Sequence, residues 1–408
     1  MKRWLTIVGI GEEGLAGLSP AARTLIETAE ILVGGARHLA MVLQGPAERQ
    51  PWESPLRRSI GRIAGNRGRR VVVLASGDPM WYGVGVTLAR RFAREEMTIL
   101  PHLGVFSLAA SRLGWPLAEC TLLTLHGRPL DMLRLHLAPN RRILVLSEDG
   151  ATPGAVAGLL TRLGWGASAL EVLAHLGGER EEAFSAEARQ WGERRVPDLN
   201  TIALLCRPQP GARILSRLPG LPDDAFEHDG QLTKRETRAA TLSALAPLPG
   251  ETLWDIGAGC GSIAIEWLRA GEGCRAFAIE KNPERAALIA RNAAALGVPG
   301  LRIVAGAAPA ALAGLPDPDA VFVGGGVGGG DLLAAAWERL LEGGRLVANV
   351  VTAEGEAQLL DWHARHGGML TRLAASRAER AGVHHLWRSL ATVTQLAATK
   401  PAWDGGLS

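Results

Sequence analysis

Leu253-Trp254-Asp255-Ile256-Gly257-Ala258-Gly259-Cys260-Gly261 reads as a short apolar strand that runs into a glycine turn. Ser262-Ile263-Ala264-Ile265-Glu266-Trp267-Leu268 follows with the apolar spacing of a helix. Three alternating glycines let the backbone approach a ligand closely and take conformations that a side chain forbids. The turn's amides and the helix N-terminus are then expected to face that ligand. Asp255 precedes the glycines, where a dinucleotide fingerprint requires no acid and keeps room for a pyrophosphate. Nineteen residues after Gly261, Glu280 ends a second apolar strand, Ala276-Phe277-Ala278-Ile279. A carboxylate there can accept both hydroxyl hydrogens of a ribose diol.

Working outward, Thr233 and Glu236 have the spacing of a capping box at the start of a helix. The same position, one helix before the glycine turn, brings Thr233 within reach of a ligand on that turn. Asn282-Pro283 opens a helix that stops at Gly297. Leu301–Val304, Asp319–Val323 and Arg345–Val351 read as strands. Helices are expected at Leu332–Leu341 and from about Glu356 to Arg365, and strand-like runs at Met369–Ala375 and Leu386–Leu396. The glycine-rich stretch from Gly324 to Gly330 gives a wide floor for a flat, bulky substrate, or a flexible loop.

Acid, glycine turn and second acid together resemble the class I S-adenosylmethionine (SAM) methyltransferases. The resemblance implies a Rossmann-like domain with a seven-stranded sheet whose last strand is antiparallel. It implies SAM contacts at Thr233, Asp255, Gly257, Ala258, Gly259, Cys260, Gly261 and Glu280. Related enzymes usually carry an acid near Ala307; the apolar side chain here leaves a backbone contact at Ala308. An Asn-Pro-Pro-aromatic motif, which a base-modifying enzyme would show after strand Asp319–Val323, is absent.

The N-terminal half opens with strand Trp4–Val8, a turn at Gly9-Ile10-Gly11-Glu12-Glu13-Gly14, and a helix capped by Ser19 before Pro20. Ile31-Leu32-Val33 follows, so β-turn-α-β announces a parallel sheet. Glu12 and Glu13 would face a phosphate, which argues against a dinucleotide site. Val71-Val72-Val73-Leu74 then runs into Ala75-Ser76-Gly77-Asp78-Pro79-Met80-Trp81-Tyr82-Gly83. Asp78 before Pro79 is biased away from helix, which fixes a loop at the strand's C-terminal end, where open α/β sheets bind ligands.

These segments, with Pro101…Ser111-Arg112-Leu113-Gly114-Trp115-Pro116, His126-Gly127-Arg128-Pro129, Asp149-Gly150…Pro153 and Leu176-Gly177-Gly178, resemble the tetrapyrrole methylase (class III SAM methyltransferase) family. The resemblance covers the first half and implies a two-lobed α/β domain. Its cofactor residues would be Gly9, Gly11, Ser76, Gly77, Asp78 and Trp81. A hydroxyl residue usual near Gly104-Val105 is missing. His102 and His126 invite a general acid/base reading, His126 the better of the two, but with no partner visible the structural reading beside a loop is preferred. Arg128 suits a substrate carboxylate, as a bidentate pair.

At 408 residues the chain is long enough for two domains. Proline-glycine clusters at Arg207-Pro208-Gln209-Pro210-Gly211 and Leu218-Pro219-Gly220 mark a linker. The expected division is 1–207, a 208–222 linker and 223–408. The net charge of +3 is well short of a nucleic-acid footprint. Cys120, Cys206, Cys260 and Cys274 form no Cys-x-x-Cys pair, so no metal is expected and a reducing cytoplasm fits. Met1-Lys2-Arg3-Trp4-Leu5 is interrupted too soon for a signal peptide, and no apolar run approaches a membrane span.

Thr233-Lys234, the glycine turn, Glu280-Lys281-Asn282-Pro283 and Phe322-Val323-Gly324-Gly325 also resemble the decarboxylating precorrin methyltransferase domain. A tetrapyrrole methylase ahead of it implies an enzyme of cobalamin biosynthesis. Such an enzyme methylates a precorrin at carbons 5 and 15 and releases carbon dioxide from the ring C acetate. Lys234, Arg235, Gly324, Gly325 and Arg128 are the expected substrate contacts. A homo-oligomer with a small-molecule tetrapyrrole substrate, and neither nucleic acid nor membrane as partner, is expected. The rival readings are an RNA methyltransferase with an accessory domain, and a SAM- or porphyrinoid-binding carrier with one inactive domain.

Overall fold

The computed structural model describes residues 3–326 and 331–402. Met1-Lys2 of the N-terminal reading and positions 327–330 of the expected glycine floor lie outside them. The chain forms two compact units. One runs to Leu130 and resumes at His136–Arg213; the other comprises Asp131–Leu135 and the chain from Ile214.

In the first unit the run Val71–Ser76 and its neighbour Leu5–Ile10 lie inside a five-stranded sheet. Its order is Glu48–Pro51, Ile31–Gly34, Val71–Ser76, Leu5–Ile10, Met97–Leu100. All pairs are parallel. Alternate residues feed two cores. Val71 and Val73 pack with Ile63 and Leu88 of flanking helices, while Val72 and Leu74 pack with Ile26 and Leu39. Burial on both faces explains why these strands are unbroken apolar runs rather than alternating ones. Ser19 caps helix Pro20–Glu27 by accepting from Ala22 N at 3.2 Å. A second, mixed sheet follows in the order Cys120–Thr124, Arg142–Leu146, Asn200–Leu205, Ala169–Ala174, Glu182–Glu187.

The second unit is built on a seven-stranded sheet. Its order is Arg302–Ala305, Arg275–Glu280, Thr252–Ile256, Ala320–Val323, Arg345–Val350, Val393–Thr399, Met369–Leu373. Val393–Thr399 is antiparallel to both neighbours. Strand order reverses between Thr252–Ile256 and Ala320–Val323, which opens a crevice at their C-terminal ends. The expected strand Leu386–Leu396 is broken at residues 390–392. Its first half pairs instead with Ser376–Ala381 in a separate hairpin, His384–Ser389, whose residues are all exposed. Apolar composition alone does not distinguish a core strand from an exposed one.

The expected capping box also fails. The helix starts at Arg235 with Lys234 at the N-cap and no side-chain cap. Glu236 is drawn away by Arg377, whose Nη2 lies 2.6 Å from its carboxylate. What seats this helix is a buried ion pair. Arg238, fully buried, donates from Nε to Glu266 Oε1 at 2.6 Å and from Nη1 to Asp223 at 3.2 Å. Glu266 also accepts from Gly220 N at 2.6 Å and Leu221 N at 3.0 Å. Arg238 further donates to the carbonyls of Leu221 and Thr233. One guanidinium thus ties the segment entering the unit, the helix after the glycine turn and the approach at Thr233.

Removing one member of such a pair strands the other in a low-dielectric core. Arg238→Met should destabilise the second unit by about 3 kcal/mol. A shift of its unfolding midpoint in urea measures this, and an unshifted midpoint contradicts it.

Candidate active sites

The crevice at the strand reversal of the second unit is a cavity of about 700 Å³, within the range of small-molecule sites. Gly257, Ala258, Gly259, Cys260, Glu280, Thr233, Lys234, Ala308, Gly324 and Gly325 line it, as do Gly326, Lys281 and Asn349. Of the expected contacts, Asp255, Gly261 and Arg235 do not.

The glycine turn differs from its sequence reading in one respect. Four of its amides donate inside the protein. Gly257 N and Ala258 N both donate to Ile279 O, at 3.0 and 3.1 Å, and Gly261 N donates to Ala258 O at 2.8 Å. Gly259 N donates to Glu280 Oε2 at 2.9 Å. The glycines serve shape. Gly257, at φ +74°, brings its backbone against Gly325, and a Cβ there would stand 3.1 Å from Gly325 N. Gly261, at φ +82°, fits beneath Ile289, where a Cβ would meet Cγ2 at 2.9 Å.

Glu280 is buried at the end of its strand, and its second oxygen accepts from Asn282 N at 2.9 Å. Each carboxylate oxygen therefore keeps a further acceptor position. Asn282 caps the next helix through Glu284 N and Arg285 N.

Asp255 lies behind the turn. Its Oδ2 accepts from Ala264 N at 3.0 Å, and Oδ1 is buried without a partner. Burial, with the Glu280 charge adding, pushes its carboxyl up to about 7. It anchors the helix to the strand and does not reach the cavity.

Lys234 and Lys281 have no ion pair among the described residues, while the cavity's Arg285 is neutralised by Asp229 at 2.7 Å. Asn349 escaped the sequence reading. Its Nδ2 donates to Thr241 Oγ1 at 2.8 Å and its Oδ1 accepts from Gln395 Nε2 at 2.9 Å. This fixes the amide's orientation at the cavity wall. A polar residue near the end of the apolar run Arg345–Val350 was the available signal.

In the first unit, loops at the C-terminal ends of the parallel strands converge. Gly77 N donates to Ile10 O at 3.0 Å and His102 N to Gly77 O at 3.2 Å. Gly9 is there because a Cβ would overlap Gly77 O. A Cβ on Gly11 would overlap the Glu13 carboxylate. Ser76 Oγ lies 3.1 Å from His38 Nε2 and 3.2 Å from Arg37 Nη2. Asp78 Oδ1 accepts from Met80 N at 2.8 Å, closing a turn. Trp81 is half-exposed beside Tyr82. The Arg128 guanidinium lies 5.5 Å from the Tyr82 ring centroid. His126 is exposed near Glu148.

Against known proteins, the model of the tetrapyrrole (corrin/porphyrin) methylases matches residues 4–190, and that of the precorrin methyltransferase domain matches 224–400. A precorrin-6Y C(5,15)-methyltransferase (decarboxylating) from Sinorhizobium sp is 53% identical over 97% of this chain and 96% of its own length. The chain belongs to the precorrin-6Y C(5,15)-methyltransferase (decarboxylating) family. It is a methyltransferase with the two α/β domains that the sequence motifs resemble. Half-length relatives of this family member also occur. A cobalt-precorrin-7 C(5)-methyltransferase of Salmonella typhimurium is 31% identical over 43% of this chain and 87% of its own length. A probable cobalt-precorrin-6B C(15)-methyltransferase (decarboxylating) of Pyrobaculum calidifontis is 39% identical over 42% and 91%.

The raised Asp255 carboxyl has a consequence for stability. The folded chain keeps a proton that the unfolded chain gives up, so this residue's contribution falls as pH rises from about 4 to about 7 and stays low above. Asp255→Asn should flatten that slope. Urea unfolding of the second unit at pH 5 and pH 8 tests it: an unchanged difference between the two pH values in Asp255→Asn contradicts the assignment.

Proposed function

We propose that the chain uses SAM in both units: the first methylates carbon 5 of a precorrin, and the second methylates carbon 15 and releases carbon dioxide from the ring C acetate. The observation that carries this is the buried Glu280 carboxylate lining the second cavity beside the glycine turn. Its free acceptor positions suit a ribose diol, and the apolar Ile279, Ala307 and Ala308 suit a flat base. When bound, SAM supplies an electrophilic methyl group on sulfur. In the second unit Glu280 and the Ala308 backbone hold the nucleoside, and Thr233 and the Gly257–Cys260 turn hold its amino-acid end. Gly324 and Gly325 leave a flat floor for the macrocycle. Lys234 and Lys281, which have no ion pair among the described residues, hold substrate carboxylates; Arg235 does not line the cavity. Leu332, Val350 and Val393 make part of the wall apolar, which solvates an acetate carboxylate poorly and favours its loss. In the first unit Gly77, Asp78 and Trp81 form the cofactor loop, Gly9 permits its close approach, and Arg128 meets a substrate carboxylate. Half-length relatives named for each reaction support two separable activities.

No described helix is long and apolar enough to cross a membrane. The four cysteines are unpaired, which supports a reducing, cytoplasmic setting. Exposed Val383, Leu386 and Trp387 on the hairpin support a homo-oligomer.

The test uses the full chain carrying Glu280→Ala, with product mass and carbon dioxide release measured. Offered the precorrin lacking only the carbon 5 methyl, the variant should still add one methyl unit. Offered the precorrin lacking both, it should release carbon dioxide only at SAM concentrations raised about 10- to 100-fold, the cost of losing hydrogen bonds to a charged group. Unimpaired release, or loss of the carbon 5 methyl, contradicts the division.

A further inference from the structure

Two carboxylate–imidazole pairs of the first unit are partly buried. Glu13 Oε1 pairs with His102 Nε2, and Glu12 Oε2 lies 3.0 Å from His175 Nδ1. The two pairs differ electrically. Glu12 also binds the Arg37 guanidinium, so its charge is already matched. Glu13 has no charged partner other than His102 among the described residues. A methyl group on Gly11 or Gly17 would overlap its side chain.

His102 sits on the loop that follows strand Met97–Leu100. Its backbone N–H donates to Gly77 O, so the imidazole is tied to the loop Ser76–Asp78. With Nε2 held by Glu13, Nδ1 is left without a hydrogen-bond partner among the described residues. The neighbouring His38 is unsuitable for proton exchange. Its Nε2 receives the Arg37 donor, and burial beside Arg37 holds its imidazole down at about 4. The charged groups around the loop are Glu13, Asp78, and the Glu12–Arg37–His175 set.

We propose that His102, oriented by Glu13, is the proton acceptor of the first unit, taking at Nδ1 the proton released when a ring carbon is methylated. This rests on the first unit's being a carbon methylation site. Methylation forms one carbon–carbon bond as the donor's carbon–sulfur bond breaks with both electrons kept by sulfur. The positive charge passes to the product ring, which returns to neutrality by losing one proton. A carboxylate on one imidazole nitrogen fixes the tautomer, bares the other nitrogen and stabilises the imidazolium that forms.

The experiment has two arms on the full chain. In the cofactor-free protein, long-range ¹H–¹⁵N spectra of the neutral His102 ring should show the proton on Nε2, with a mixture of tautomers in Glu13→Ala. In turnover with the precorrin lacking only the carbon 5 methyl, His102→Gln should lower kcat about 100-fold with KM for SAM unchanged. Glu13→Gln, which keeps the shape, should lower kcat by a smaller factor. A proton on Nδ1 in the native protein overturns the assignment, as does an undiminished kcat or a loss confined to KM in His102→Gln. A native chain that adds no methyl to this precorrin overturns instead the carbon 5 reading, and with it the inference.

Discussion

The Glu280 carboxylate is the constraint on which the second unit's site depends. One oxygen fixes the glycine turn at Gly259 and the other fixes the start of the next helix at Asn282. Both hydrogen bonds are made within the protein, so they hold the turn and the strand end at one separation. A buried carboxylate needs such donors, because leaving it without them would cost far more than the two bonds return. The group that organises the turn is therefore also the one that presents acceptors to the cavity. Asp255 complements it from behind, holding the helix while remaining outside the cavity.

The two units build their candidate sites differently. The second places a cavity at a strand reversal and lines it with Lys234 and Lys281, which have no ion pair among the described residues. The first brings loops from several parallel strands together and surrounds them with carboxylate–imidazole pairs. Its glycines make room for backbone and for glutamate side chains. Glu12 and Glu13, which argue in the sequence against a phosphate, are turned toward His175, Arg37 and His102.

Much of this was legible in the sequence, for local reasons. Continuous apolar runs gave the central strands, because burial on both faces needs no polar alternation. Ser19 and Asn282 cap their helices because a cap bonds within three residues. The readings that failed are those decided at long range. Thr233 and Glu236 have capping-box spacing, but Arg377, far along the chain, captures Glu236. Arg238 and Glu266 are 28 residues apart and meet only once their helices pack. Leu386–Leu396 is apolar enough for one strand, yet the register of the sheet admits only Val393–Thr399. No local pattern pairs His102 with Glu13, 89 residues earlier. The amides of the glycine turn were expected to face a ligand, whereas Ile279 O on the adjacent strand takes two of them.

The proposed function requires two unlike SAM sites on one chain, one in each unit. Calorimetric titration of the full chain with S-adenosylhomocysteine counts them. Two molecules bound per chain, falling to one in Glu280→Ala over the same concentration range, is the predicted result. A native stoichiometry of one, or a Glu280→Ala chain that still binds two with native affinity, would contradict it.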